Sequence, residues 1–222
     1  MKVTFISDTH CQHNLLTEDI LDISPDLIIH CGDVCNSRNL LDNRKEKENF
    51  IDWYCSLKVQ YKILIPGNHD LSLEQDKRVP KTIKLLINNS CTIEGRKIWG
   101  SPYTPTFGLG WAFNRARSKM NDIWNLIPGD IDILATHGPS RYHLDLATDL
   151  DTNELVQVGC NSLYKKTLEF NNLVHSSGHI HSCLKNNIIN HGVLIRNGNT
   201  YINCSIVNDR VDKVNPPITI EL

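Results

Sequence analysis

Five short clusters in the 222-residue chain carry side chains that could bind metal or move protons: Asp8-Thr9-His10, Gly32-Asp33, Asn68-His69-Asp70, His137-Gly138-Pro139 and His179-Ile180-His181. Imidazole, carboxylate and amide oxygen form a mixed N/O donor set. Such a set suits Mn, Fe, Zn or Mg rather than Ca. Taken singly, each cluster is ordinary. Asp-x-His and Gly-Asp are common turn sequences, and Asn-His-Asp could form an Asx turn with a capping carboxylate. His-x-His says more, because alternate residues of an extended chain share a face.

What argues against five unrelated turns is the element before each cluster. Apolar strands are expected at 2–6 (KVTFI), 26–30 (DLIIH), 62–65 (KILI), 132–135 (DILA) and 173–177 (LVHSS), and each runs straight into its cluster. In open α/β sheets, sites gather beyond the carboxyl ends of the strands. Helical spacing lies between them: Leu15, Leu16, Ile20 and Leu21; Phe50, Trp53, Tyr54 and Leu57; Ile83, Leu86 and Ile87; Ala116, Met120, Ile123 and Trp124; Leu163, Tyr164 and Leu168. This alternation predicts an α/β layered fold. The last third instead reads as antiparallel strands (CLKNNII, GVLIR, TYINCSI, PITIEL) with turns such as NHG and NGN, so the sheets should be mixed. No linker divides residues 1–222, and a single domain is expected.

The bulk properties exclude several roles. With 23 basic and 25 acidic residues, the net charge of −2 offers no basic stripe for nucleic acid. No apolar run approaches the roughly twenty residues of a membrane span. The start MKVTFISDTH does not read as a signal peptide, and the eight scattered cysteines are expected as reduced thiols in the cytoplasm.

The order D-x-H, G-D, G-N-H-[D/E], H, G-H-x-H over residues 8–181 resembles the calcineurin-like metallophosphoesterases. The stretches GSPYTPTFGLGWAFN, WNLIPGDIDILATHGP, QVGCNSL, TYINCS and NPPI are similar to the small metallophosphoesterase-domain-containing proteins of animals, a class III cyclic-nucleotide-phosphodiesterase-like group. Some of that group carry Gly where this chain has His179. The resemblance implies a four-layer α/β/β/α sandwich. It also implies two divalent ions, with Mn favoured. One would sit on Asp8, His10 and His181 and the other on Asn68, His137 and His179, with Asp33 bridging. A hydroxide held between ions roughly 3.5–4 Å apart would attack phosphorus in line.

His69 would then protonate the leaving oxygen, with Asp70 orienting its imidazole. The ions' charge exceeds that of two carboxylates and a hydroxide, so the centre would still attract phosphate. Asn36 and Arg141 are candidates to grip that phosphate. The loop at 100–114 either walls a base pocket or is simply packed structure. The implied substrate is a small phosphoester, most plausibly a cyclic nucleotide. Phosphomonoester hydrolysis and nucleotide binding without turnover stand as alternatives.

Overall fold

The computed structural model describes residues 1–149, 151–183, 187–213 and 215–222. Among the described residues, the strands are β1 (Lys2–Ile6), β2 (Leu27–His30), β3 (Tyr61–Leu64), β4 (Ile83–Leu85), β5 (Asn89–Ile93), β6 (Arg96–Ser101), β7 (Thr104–Pro105), β8 (Asn114–Arg115), β9 (Ile133–Thr136), β10 (Leu146–Thr148), β11 (Leu155–Gln157), β12 (Val174–Ser177), β13 (Gly192–Arg196), β14 (Asn199–Asn203) and β15 (Ile218–Glu221). The helices are α1 (Thr17–Ile23), α2 (Leu40–Ser56), α3 (Leu71–Gln75), α4 (Asn121–Trp124) and α5 (Asn161–Thr167). None of the described helices is long and apolar enough to cross a membrane.

Two mixed sheets face each other, in the orders β15-β1-β2-β3-β4 and β13-β14-β12-β9-β6-β5. The two-residue period of each strand decides which layer a side chain enters. Val3, Phe5, Leu27, Ile29 and Ile63 of the first sheet meet Ile98, Ile133, Ala135, Val174 and Ile202 of the second. Their neighbours point outward. Ile6, Ile28 and Leu64 join Phe50, Trp53 and Tyr54 of α2. Trp99 and Leu134 join Ile123 and Trp124 of α4 and Leu163 of α5. The layers are therefore α/β/β/α. Tyr54 locks helix to sheet by donating to the Ile28 and Ile63 carbonyls, at 3.1 and 2.9 Å.

The five expected strands lie within a residue of β1, β2, β3, β9 and β12. The antiparallel pairing of β13 with β14 and of β15 with β1 is also present, although β14 pairs parallel with β12. CLKNNII lies partly outside the described residues. One expectation is corrected. Ile83, Leu86 and Ile87 are not a helical face, because Ile83–Leu85 is a strand paired with Lys62–Leu64. A short apolar run fits either period, and a free place beside β3 settles it. The chain then turns back through β5 and β6, which build the second sheet's edge.

Candidate metal centre

The strand pairing continues into the loops that bear the polar clusters. Beyond β1 and β2, the Asp8 amide donates to the Gly32 carbonyl at 2.8 Å and the His10 amide to the Asp33 carbonyl at 3.1 Å. Beyond β9 and β12, the Gly178 amide donates to the His137 carbonyl at 2.9 Å. The Ser7–Ser205 bridge joins the sheets at the same end, and the His179 amide reaches across to both Asp8 oxygens at 3.0–3.1 Å. The loops are packed to the limit of their glycines. A Cβ at Gly67 would collide with Asp33 Oδ1, and one at Gly178 with Asp8 Oδ2. Asp8, His10, Asp33 and His179 all adopt positive φ, between 40° and 66°. Non-glycine residues in that region cost about 1–3 kcal/mol each, and such strain collects at functional sites.

Two groups of donors result. Asp8, His10 and His181 form one, and Asp33, His137 and His179 the other, with donor atoms within 4.8 Å of one another in each. Asp33 faces both groups. Its Oδ2 lies 3.8 Å from His10 Nε2 and its Oδ1 lies 3.3 Å from His137 Nε2. Asn68 Oδ1 is 2.8 Å from the same His137 nitrogen. Seven residues singled out in the sequence as ligands thus converge. His69 stands at their edge, and a donor atom of its own falls within 4.8 Å of atoms from His10 and Asp33.

The imidazole tautomers test whether this set fits cations. His10 Nδ1 donates to the Cys35 carbonyl at 3.1 Å and His137 Nδ1 to the Cys31 carbonyl at 2.8 Å. Each ring, when neutral, therefore presents the lone pair of Nε2 to the centre. His10 Nε2 is buried with no hydrogen-bond partner among the described residues. His137 Nε2 faces two oxygens, Asn68 Oδ1 and Asp33 Oδ1, and both are acceptors. A cation satisfies all of these groups at once, so the residues present fit two divalent ions.

Electrostatics set the protonation of the donors before an ion binds. Burial lowers the pKa of His10 to about 4, against the pull of Asp33 and Asp8. Burial, together with the charge of His137, lowers that of His179 to about 3. Both are neutral at pH 7 and offer a lone pair to a cation. His137 is also buried, but the Asp33 carboxylate outweighs that penalty and raises its pKa to about 10. Against its own burial, Asp33 is held well below the usual carboxylate range by His137.

Asp70 needs a correction. It does not orient the His69 imidazole. Its Oδ2 accepts the amides of Gly67 and Asp33, at 2.7 and 3.1 Å, and its Oδ1 those of Val34 and Cys35, both at 3.0 Å. Asp70 therefore clamps two ligand loops together. The His69 ring is set by the Asn36 carbonyl, 3.2 Å from Nδ1, and by Trp111, whose ring centroid is 4.5 Å away. Asn36 offers that carbonyl while its side chain is exposed. Arg141 turns its guanidinium over the Tyr142 ring, 5.4 Å from its centroid.

Sequence reasoning left five participants without a role. Trp111 packs between His69 and the Arg38 guanidinium, which lies 4.5 Å from its ring. Phe107 stacks on Trp111 and reaches His179, with centroids 5.9 and 5.0 Å apart. Arg117 lines a cavity of about 320 Å³ with Phe107, Pro139, Val158, His179 and Ile180. Asn43, buried on α2, donates to the His69 carbonyl at 2.7 Å. The aromatics of the 100–114 loop carried a signal, whereas Arg38, Asn43 and Arg117 are ordinary residues until folding brings them here.

Comparison with known proteins agrees with this geometry. The calcineurin-like phosphoesterase profile matches residues 1–183. Metallophosphoesterase domain-containing protein 1 of Homo sapiens is 32% identical over 98% of this chain and 69% of its own length. UPF0046 protein K07C11.7 of Caenorhabditis elegans is 29% identical over 94% of this chain and 70% of its own. A solved crystal structure with only 14% identity superposes with a TM-score of 0.63, over 91% of this chain and 89% of its own, which shows a shared fold. With the profile spanning every cluster of the centre, the chain belongs to the calcineurin-like phosphoesterase family.

Proposed function

We propose that this metal-dependent phosphoester hydrolase acts on small phosphodiesters, with cyclic nucleotides as the favoured substrates and Mn²⁺ as the favoured ion. The observation that carries the reading is the apolar cavity of about 320 Å³ that shares His179 with the metal centre. It offers Phe107, Pro139 and Val158 to an organic ring and has the volume for a nucleoside rather than a polypeptide.

Asp8, His10 and His181 would hold one divalent ion, Asn68, His137 and His179 the other, and Asp33 both. Ions bound there would draw the phosphate oxygens and acidify a water for attack on phosphorus. The chain's own residues then set the direction. The His69 amide donates to Asp33 Oδ1 at 2.7 Å, which fixes the carboxylate that would face both ions. With Nδ1 committed to the Asn36 carbonyl, His69 has Nε2 left to carry a proton to the leaving oxygen. As the water oxygen bonds to phosphorus, the bond to the leaving oxygen breaks and that oxygen takes the proton. Trp111 packs against the His69 ring and Phe107 against that of His179 on this side of the centre.

The test is hydrolysis after metal stripping and Mn²⁺ reloading, on 3′,5′- and 2′,3′-cyclic nucleotides, an aryl phosphodiester and an aryl phosphomonoester. Diesters should be preferred, and His69→Ala should lower the rate by roughly 10²–10⁴ while metal binding survives. Preference for the monoester would overturn the diesterase reading.

A further inference from the structure

Beyond the apolar cavity lies a second one that the hydrolytic centre does not use. It encloses about 340 Å³ and is lined by Arg117, Ser118, Asn121, Asn161, Ser162 and Lys165. Arg117 and Cys160 also line the apolar cavity, so the two are neighbours on one path leading from His179. Their linings differ in kind. The second cavity offers two cations, two hydroxyls and two amides, and no carboxylate lines it among the described residues. Arg117 is held at the boundary by its Nη2, which donates to the Val158 carbonyl at 3.2 Å. That leaves the other N–H groups of the guanidinium unassigned. Lys165 forms none of the ion pairs seen among the described residues, whereas the adjacent Lys166 is paired with Glu169 at 2.6 Å.

We propose that the Arg117–Lys165 cavity binds a second, terminal phosphate on the substrate's organic arm. The preferred substrates are then phosphodiesters of nucleosides that carry a further phosphate monoester. The scissile phosphorus sits at the metal centre, the ring crosses the apolar cavity past Phe107, and the distal phosphate meets Arg117 and Lys165. An uncharged arm fills the apolar cavity but leaves both cations to water. This inference rests on the apolar cavity taking the organic arm, as read above. It extends that reading by a site whose chemistry, a cationic bowl lined by hydroxyls and amides, recognises a phosphate dianion.

Two pairs of probes isolate the distal phosphate. Thymidine 5′-(p-nitrophenyl phosphate) and its 3′-phosphorylated counterpart differ only by that group and report turnover. Thymidine 5′-monophosphate and thymidine 3′,5′-bisphosphate report equilibrium binding by calorimetry and need no turnover. The extra phosphate should lower KM and Kd about tenfold at low salt. Lys165→Ala should abolish most of that advantage, leave the values for the simpler probes unchanged, and thereby show that the variant is folded. The advantage should also shrink as salt is raised, because the cations are exposed. Equal binding of the two thymidine nucleotides would overturn the second site even if both aryl esters are hydrolysed. So would an advantage that survives in both Lys165→Ala and Lys165→Glu. Tight bisphosphate binding that depends on Lys165, without turnover of any ester, would uphold the site and sink the hydrolytic reading instead.

Discussion

At the scale of single residues, His137 links the protonation of the centre to its stability. Its raised pKa means that, in the metal-free chain, its ion pair with Asp33 contributes stability that is complete below about pH 6.5 and is lost as the pH rises through about 10. Binding a metal demands the same deprotonation. Apparent metal affinity should therefore rise between pH 6 and 9, and loading at pH 7 should release about one proton or more. Calorimetry in buffers of different ionisation enthalpy measures that release, and proton-neutral binding would contradict the assignment of His137 as a ligand. Asp70 is predicted to act on the loops and not on the imidazole. Asp70→Asn places an amide NH₂ against two buried backbone donors, so chemical unfolding should show a loss of about 2–4 kcal/mol, with weakened metal binding. A variant of normal stability whose only change is the pH profile of kcat would restore Asp70 as the partner of the imidazole. The candidate donors and their order were legible in the sequence because metal chemistry accepts few side chains, and the fold brings those donors together. The role of Asp70 was not, because a carboxylate beside a histidine in sequence need not face it in space. Here the sharp turn after Gly67 points Asp70 back at the amides of the Asp33 loop.

At the scale of elements, the segment between β7 and β8 behaves as a wall pinned at both ends. The Ala112 amide donates to the Asn68 carbonyl at 3.0 Å and the Phe113 amide to Glu74 Oε1 at 2.8 Å, while Arg38 Nη2 donates to the Leu109 carbonyl at 2.9 Å. At its start the Thr106 amide donates to the Arg115 carbonyl at 2.9 Å, and between the two ends Phe107 is 50% and Leu109 88% exposed. Large apolar groups left in water beside a polar centre are costly unless they serve a ligand. Trp111→Ala should free the His69 ring and reduce kcat about tenfold with metal content unchanged, and Trp111→Phe should recover part of the loss. Identical losses in both variants would show that the segment is held by its backbone alone. The aromatic, glycine-rich composition of this stretch was visible in the sequence. Its position against His69 and His179 was not, since it depends on contacts between distant parts of the chain, such as that of Arg38 with Leu109, 71 residues apart. The same limit explains β4. Spacing within Ile83–Ile87 could not reveal that β3 lacked a neighbour.

At the scale of the whole molecule, two sheets deliver the candidate donors from five parallel-strand ends to one rim, and neither sheet holds the full set. Asp8, His10, Asp33 and Asn68 follow strands of the first sheet, and His137, His179 and His181 follow strands of the second. Ions that bind only the folded arrangement stabilise it by mass action. Chelation should therefore lower the melting temperature, and reloading with Mn²⁺ should restore it. A melting temperature indifferent to metal would mean that the sheets do not share their ligands. Strand-helix alternation exposed the layers because strand and helix periods are local. The edge strands β13 and β15 were legible as antiparallel strands, whereas β4 and β5 emerged only from the three-dimensional pairing. The most direct test of the two-ion account is to titrate Mn²⁺ into stripped wild-type and Asp33→Asn protein while following bound metal and aryl phosphodiester hydrolysis together. The wild type should bind two ions per chain and gain activity as both sites fill, and the Asp33→Asn protein should lose its activity and at least one ion. A single ion at saturation, or full activity in the Asp33→Asn protein, would contradict it.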